Sequence, residues 1–232
     1  PNAPCSLIAH SFTCGSITDY ESVMNFGQDK NLITVEIENV NIEALEELEK
    51  KGVEVYPQPS VLKIIKDKGL QKNFYLENKI PTAKFKLYHN AIELTKDEIK
   101  YPIIQKVRTG GYDGKGVQIL KTSDGSFDAP NLCEELVDFE KELSIIVARN
   151  KNGQIKCFPA VECDFNPEAN LVEYLFSPAD ISKEIEEKAS TIAADLILKL
   201  DMIGLLAVEF FLCKAGGLLV NEAAPRPHNS GH

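Results

Sequence analysis

The chain contains no tryptophan and only two methionines, and its six cysteines include no Cys-x-x-Cys pair. Cys5, Cys14, Cys133, Cys157, Cys163 and Cys213 are scattered, which argues against a zinc site or a disulfide framework and for reduced, mostly buried thiols. No apolar run approaches the roughly 18 residues of a membrane span, and no charged-then-apolar leader precedes Pro1. A cytoplasmic protein with no membrane partner is therefore expected. Positive charge is in deficit as well: Lys and Arg number 25 against 35 Asp and Glu, a net charge of −10. That balance disfavours nucleic acid and anionic surfaces, so any anionic ligand must be held by a local group of cations. The opening stretch "PNAPCSLIAHSF" also lacks the glycine-rich first turn of a doubly wound domain, so the chain is expected to be cut at its front.

What is present suffices for one or two globular domains: 232 residues, 44% hydrophobic and 26% charged. "NLITVEIENV" at 31–40 reads as a strand. "NIEALEELEKKG" reads as a helix capped by Asn41, striped with Ile42, Leu45 and Leu48, and ended by Gly52. "VEVYPQP" is a short strand closed by two prolines, which completes a βαβ piece. Helical signal then covers "SVLKIIKDKGLQKNFYLENK" up to Pro81. "YPIIQKVR" and "GVQILK" are strands joined by "TGGYDGKG", and "ELSIIVARNKNGQIKCFPAVEC" is a second hairpin turning at Asn152-Gly153. A helix at about 181–200 precedes a third hairpin, "LLAVEFFLCKAGGLLVNEAAP". The class is mixed α/β with antiparallel lobes.

The third hairpin carries the sharpest chemical inference. With its turn between Ala215 and Gly216, Glu209 lies directly opposite Glu222; with the turn one residue later they become diagonal neighbours on one face. Facing carboxylates repel, and Mg²⁺ removes that penalty because it takes one or two carboxylates together with phosphate oxygens. Both glutamates stand in apolar surroundings, which favours a metal role over a solvated face. On this reading Glu222→Gln would relieve repulsion in the metal-free chain. The loop "TGGYDGKG" lets backbone N–H groups approach phosphate, although its spacing is not that of a P-loop, and Lys106 and Arg108 project from one face of the strand entering it. "CEELVDFEKELSIIV" places Glu134, Glu135 and Glu142 around a short apolar connection, where a linker could meet a base and Glu142 could accept from ribose hydroxyls; such a charge cluster is more often a solvated face. The tail "NEAAPRPHNSGH" gathers Arg226, His228 and Asn229 between stiffening prolines. That density of functional groups suits a small oxyanion and suggests a chain cut inside a site.

Together these segments resemble the ATP-grasp enzymes. "KVRTGGYDGKG" and "NEAAPRPHNSGH" in particular resemble the N5-carboxyaminoimidazole ribonucleotide synthetase family of purine biosynthesis, with "TVEIENV", "IPTAKF", "KELSIIVAR" and "AVEFF" in matching order along essentially the whole chain. The resemblance implies a partial Rossmann-like domain over residues 1–58 and an ATP-grasp domain over 59–232, with a small glycine-loop lobe at about 83–137 and the family's C-terminal domain absent. It implies that Lys68 and Lys106 hold ATP phosphates beneath a mobile loop of Gly111, Tyr112, Asp113, Gly114, Lys115, Gly116 and Val117. The linker Glu134, Glu135, Leu136 and Val137 would lie against adenine, Glu142 would contact ribose, and Asn221 with Glu222 would form the metal end, Glu209 being the second magnesium carboxylate. Glu38, Tyr112, Asp113 and Lys115 resemble the aminoimidazole ribonucleotide pocket. Arg226, His228 and Asn229 resemble the bicarbonate end, with Lys115 joining them as a catalytic group.

The sequence departs from the family pattern in three places: Lys68 replaces a commoner arginine, Val117 a commoner glutamine, and Phe165 stands where many relatives have histidine. The implied reaction uses ATP to phosphorylate bicarbonate and carboxylate the ribonucleotide amine, and the implied assembly is a homodimer. Two rivals stand beside it: a nucleotide-binding module without turnover, and an ATP-grasp ligase joining a different carboxylate to an amine.

Overall fold

The computed structural model describes residues 3–111, 116–166 and 171–231, with the side chains of Phe165, Asn166 and Leu171 outside that description. Capping residues cut the first third into short helices. Asp19 accepts from the Ser22 amide at 2.8 Å and starts α1 (Tyr20–Gly27), which leads to β1 (Leu32–Thr34). Asn41 accepts from the Ala44 amide at 2.8 Å and starts α2 (Ile42–Lys50), after which β2 (Glu54–Tyr56) pairs parallel to β1. The anticipated stripe of Ile42, Leu45 and Leu48 is buried with Val23, Met24, Ile33 and Val55.

The strand expected across 31–40 is shorter than its pattern suggests. Pairing ends at Thr34, because β2 offers only three partners, and residues 36–38 run into a bend that carries Glu38 away from the sheet. The single long helix expected before Pro81 is two: α3 (Pro59–Lys66) and α4 (Lys68–Glu77). Asp67 between them is extended, and its carboxylate accepts from the amides of Gly69 and Leu70 at 2.8 and 3.2 Å. Side-chain capping of this kind competes with a continuous helical ladder.

Next comes a four-stranded antiparallel lobe built from β3 (Phe85–Tyr88), α5 (Ala91–Thr95), β4 (Ile103–Val107), β5 (Val117–Leu120) and β6 (Asn131–Glu135), in the order β3-β6-β4-β5. Tyr88, Leu94, Ile103, Leu120 and Cys133 form its core. The β4–β5 hairpin expected around the glycine loop is present.

The large sheet contains β7 (Phe139–Arg149), β8 (Ile155–Cys157), β9 (Val161–Asn166), β10 (Leu171–Phe176), β11 (Gly204–Cys213) and β12 (Leu218–Ala224). Its path is β10-β9-β7-β11-β12, with β8 also on β7. The long helix is α6 (Lys183–Lys199), capped by Ser182. β9 and β10 extend the sheet beyond the hairpins that the sequence pattern marks. Strand alternation gives the sheet two unlike faces. Leu143, Ile145 and Val147 of β7 and Leu206, Val208 and Phe210 of β11 pack on Ala189, Ala193, Leu196 and Ile197 of α6. The intervening residues Glu142, Ser144 and Glu209 stand on the opposite face, toward the small lobe. The chain enters that lobe along β12, where Val220 N donates to Pro81 O and the Thr82 hydroxyl donates to Val220 O, both at 2.7 Å.

Gly27, buried at the end of α1, tests the packing of the first unit. A Cβ there would stand 2.4 Å from Leu48 Cδ1 and 2.7 Å from Ile33 Cδ1, and both side chains are buried. Alanine normally stabilises a helix relative to glycine by about 0.5–1 kcal/mol, whereas overpacking costs about 1–3 kcal/mol. Gly27→Ala is therefore expected to lower the urea midpoint at unchanged m-value; a raised midpoint would contradict this packing.

Candidate active site

The site forms where β12 departs from regular pairing. Ala207–Ala224 and Val208–Ala223 keep the register anticipated for a turn between Ala215 and Gly216, whereas Phe210–Val220 and the pairs nearer the turn are shifted by one residue. Asn221 and Glu222 thus oppose the single residue Glu209. The direct Glu209–Glu222 opposition expected from the sequence is replaced by a bulge, which re-aims two successive side chains. Both reach the cleft: Asn221 Oδ1 accepts from Lys106 Nζ at 2.8 Å, and Glu222 pairs with Lys68.

Lys68 and Lys72 lie one turn apart on α4 and so share a face. Lys72 Nζ sits 2.5 Å from Glu134 Oε1, and Lys106 Nζ sits 2.7 Å from Glu134 Oε2. Two buried lysines from different elements thereby share one buried carboxylate. Glu134 is anticipated as part of a linker or a solvated cluster; the residue is instead 3% exposed and its side chain locked into this triad, because β6 carries it inward beside β4. Glu135 does lie on the surface, 3.4 Å from Lys84, and Leu136 is exposed as well, with Val137 beside it half-buried.

The glycine loop is anchored rather than free at its base. Val107 N donates to Gly116 O at 2.8 Å, and Lys68 N donates to Arg108 O at 2.9 Å. Gly116 has φ +77° and stands so close to Val107 that a Cβ would fall 2.4 Å from its Cγ2. Gly111 borders the loop and Val117 opens β5 opposite Lys106. Arg108 does not face the cleft as a free cation: its Nε and Nη2 donate to the two carboxylate oxygens of Asp67 at 2.9 and 2.7 Å. Tyr112, Asp113, Gly114 and Lys115 lie outside the described residues, as does the side chain of Phe165.

The tail folds back over the large sheet. Arg226 pairs with Glu38, joining the first unit to the last segment. His228 Nε2 is 3.3 Å from Glu209 Oε1, its Nδ1 is 2.9 Å from Ser230 Oγ, and Ser230 Oγ is 2.8 Å from Ser144 Oγ. Ser144 is in turn the β7 partner of Glu209. Asn229 is exposed at the start of the short turn Asn229–Gly231. Lys72, Asp67, Ser144 and Ser230 escaped the sequence reading. The four-residue step from Lys68 to Lys72 was a usable signal for the first of them.

Burial alone would raise the pKa of Glu222, but Lys68, Lys106 and Lys72 hold it well below the usual carboxylate range. Glu134 behaves alike: burial opposes its charge, and Lys106 and Lys72 more than offset this. Lys72 is pushed down to about 8 by burial, with Lys106 adding to the fall and Glu134 opposing it. Among the described residues Glu142 has no such partner; burial, reinforced by Glu209, raises it to about 7 against the pull of Lys106. Glu209, Glu222 and the amide oxygen of Asn221 form a hard-oxygen set that fits magnesium sharing its shell with phosphate. Among the described residues no group of three or more His, Cys, Asp or Glu side chains forms a self-sufficient metal centre.

An ATP-grasp domain model matches residues 73–232, and a ribonucleotide synthetase preATP-grasp domain model matches residues 1–66. The chain belongs to the ATP-grasp family. Among its relatives are the N5-carboxyaminoimidazole ribonucleotide synthase of Bacillus subtilis, 34% identical over all of this chain and 62% of the relative, and the chloroplastic phosphoribosylaminoimidazole carboxylase of Vigna aconitifolia, 35% identical over all of this chain and 42% of the relative. The Aspergillus clavatus N5-carboxyaminoimidazole synthase, solved in complex with ADP and 5-aminoimidazole ribonucleotide, superposes with a TM-score of 0.90 at 27% identity, over all of this chain and 63% of that one. The chain thus spans roughly two-fifths to three-fifths of these proteins. No described helix is long and apolar enough to cross a membrane.

The raised Glu142 makes a pH prediction. Its folded value, about 7, exceeds the unfolded carboxylate value, so the folded state binds the extra proton and stability is lost as pH rises from the unfolded value through 7. Glu142→Gln removes that loss. In EDTA, its Tm advantage over the parent chain is expected to grow between pH 5 and pH 8; a constant difference would show that Glu142 titrates normally.

Proposed function

We propose that this chain carries the ATP-dependent step that turns bicarbonate and 5-aminoimidazole ribonucleotide into N5-carboxyaminoimidazole ribonucleotide. The observation that carries the reading is the convergence of Lys68, Lys106, Glu209, Asn221 and Glu222 on one cleft, with Arg226 and His228 at its far end. The activities for which the relatives are named support the same reading. The proposed division places a partial Rossmann-like unit at 1–58 and the ATP-grasp unit at 59–232, with its small lobe at about 83–137. A cytoplasmic homodimer completes the proposal.

Bicarbonate is a poor electrophile. Transfer of the γ-phosphoryl group of ATP to a bicarbonate oxygen gives carboxyphosphate and ADP. Loss of phosphate then frees CO₂ beside the ribonucleotide amine, which attacks it and releases a proton to form the carbamate. Lys68 and Lys106 neutralise phosphate oxygens, as phosphoryl transfer requires. Magnesium held by Glu209 and Glu222 would supply further charge neutralisation at the same oxygens. The glycine loop, Gly111 to Val117, covers the phosphates and limits hydrolysis of the intermediate. In this proposal the segment Glu134 to Val137 takes adenine, with the Glu134 carboxylate itself turned to Lys72 and Lys106, Glu142 takes ribose, and Glu38 with Tyr112, Asp113 and Lys115 takes the ribonucleotide. Arg226 offers a planar fork of donors to bicarbonate, with Asn229 alongside, and His228, oriented between Glu209 and Ser230, hydrogen-bonds a further oxygen.

Two measurements test the assignments. Glu222→Gln is expected to abolish Mg²⁺-dependent ADP release. Because Lys68 then loses its partner, the metal-free variant should melt at or below the parent temperature, the reverse of the gain that carboxylate repulsion alone would give. Undiminished ADP release at limiting Mg²⁺ would remove the metal role. Arg226→Ala and His228→Ala are expected to keep ATP affinity and to lose incorporation of labelled bicarbonate into the acid-labile carbamate, by about 10²–10³-fold for each lost donor. Normal incorporation in both would overturn the bicarbonate assignment.

A further inference from the structure

Lys72 belongs to none of the motifs that mark the cleft, yet it is 2% exposed at the cleft's floor. A lysine ammonium has three N–H donors. The Lys72 ammonium stands as an ion pair 2.5 Å from Glu134 Oε1 and donates to Thr82 Oγ1 at 2.6 Å and Val220 O at 3.5 Å. At 2% exposure it is enclosed by these protein oxygens rather than open to a phosphate. Lys106 differs. Its ammonium pairs with Glu134 Oε2 at 2.7 Å and donates to Asn221 Oδ1 across the cleft at 2.8 Å, which leaves donor capacity to face a ligand.

Glu134 therefore divides one negative charge between two lysines, and the buried triad keeps one net positive charge. Without Lys72, both oxygens of Glu134 would be free to turn to Lys106, the local charge would fall to zero, and the ammonium would be drawn from Asn221 toward β6. We propose that Lys72 is a positioning residue that shares Glu134 with Lys106 and so keeps Lys106 aimed across the cleft for an anionic phosphate. The same ammonium ties α4 to Thr82 and Val220, the strip along which the chain enters the small lobe, so the phosphate-facing lysine is registered against both lobes at once.

The proposal rests on the nucleotide reading of the cleft, and a charge-coupling cycle separates the two. MgADP is titrated calorimetrically at pH 7 into the parent chain, Lys72→Met, Glu134→Gln and the double variant, with thermal unfolding recorded for each. Lys72→Met is expected to weaken MgADP binding by about tenfold or more in the parent background, and by no more than about threefold where Glu134 is already Gln, since coupled groups are non-additive. A residue that only packs, or one that touches the nucleotide, would lose the same affinity in both backgrounds, and that result overturns the proposal, as does an unaffected Lys72→Met. If Lys72→Met alone does not fold, the comparison between Glu134→Gln and the double variant decides: a loss within about threefold supports the role and any larger loss overturns it. Absence of MgADP binding by the parent chain overturns the nucleotide site itself, and the role of Lys72 with it.

Discussion

The cleft is organised around the cost of placing carboxylates on the face of a sheet whose other side is a hydrocarbon core. Glu142, Glu209 and Glu222 project from β7, β11 and β12; Glu142 feels the charge of Glu209, and Lys68 feels those of Glu222, Glu209 and Glu134, the last from the small lobe. Carboxylates in such surroundings must be paired or must take up protons. Lys68 answers Glu222, Lys106 and Lys72 answer Glu134, and His228 stands against Glu209. Glu142 takes the other route and is raised to about 7. Lys68 and Lys106 thus answer the cleft's own carboxylates with the same charges that the proposed anionic nucleotide would meet.

That economy explains where the pieces come from. Lys68 and Lys72 ride on α4, whose start is set by Asp67, and Asp67 also grips Arg108 at the base of the glycine loop. The helix, the loop and the small sheet are thereby registered against one another at the point where the chain crosses between lobes. On the opposite side, the β12 bulge turns Asn221 and Glu222 toward the same space. Rigid sheet behind and anchored hairpin above form an arrangement suited to phosphoryl transfer, where positioning and charge neutralisation carry most of the catalysis.

Much of this was legible in the residues themselves. The Asn41-capped stripe of α2, the helix at about 181–200, the three hairpins and the proximity of Glu209 to Glu222 follow from periodicity, capping chemistry and turn glycines, all of which act over a few residues. The motifs around the glycine loop and "NEAAPRPHNSGH" pointed to the ATP-grasp family on the strength of local pattern alone. The tertiary structure decided what local pattern cannot carry. The strand at 31–40 stopped at Thr34 because its partner is three residues long. Asp67 broke a helix whose apolar period runs straight through it, because its carboxylate had two amides and a guanidinium to satisfy. Glu134 reads as one more acidic residue in a charged stretch, and only the meeting of α4, β4 and β6 makes it the buried counter-ion of two lysines. Sequence determines which groups are available and how each short segment prefers to fold. Which charges end up sharing a desolvated space depends on contacts between residues tens to hundreds of positions apart, and there the energy of an unpaired buried charge outweighs any local preference.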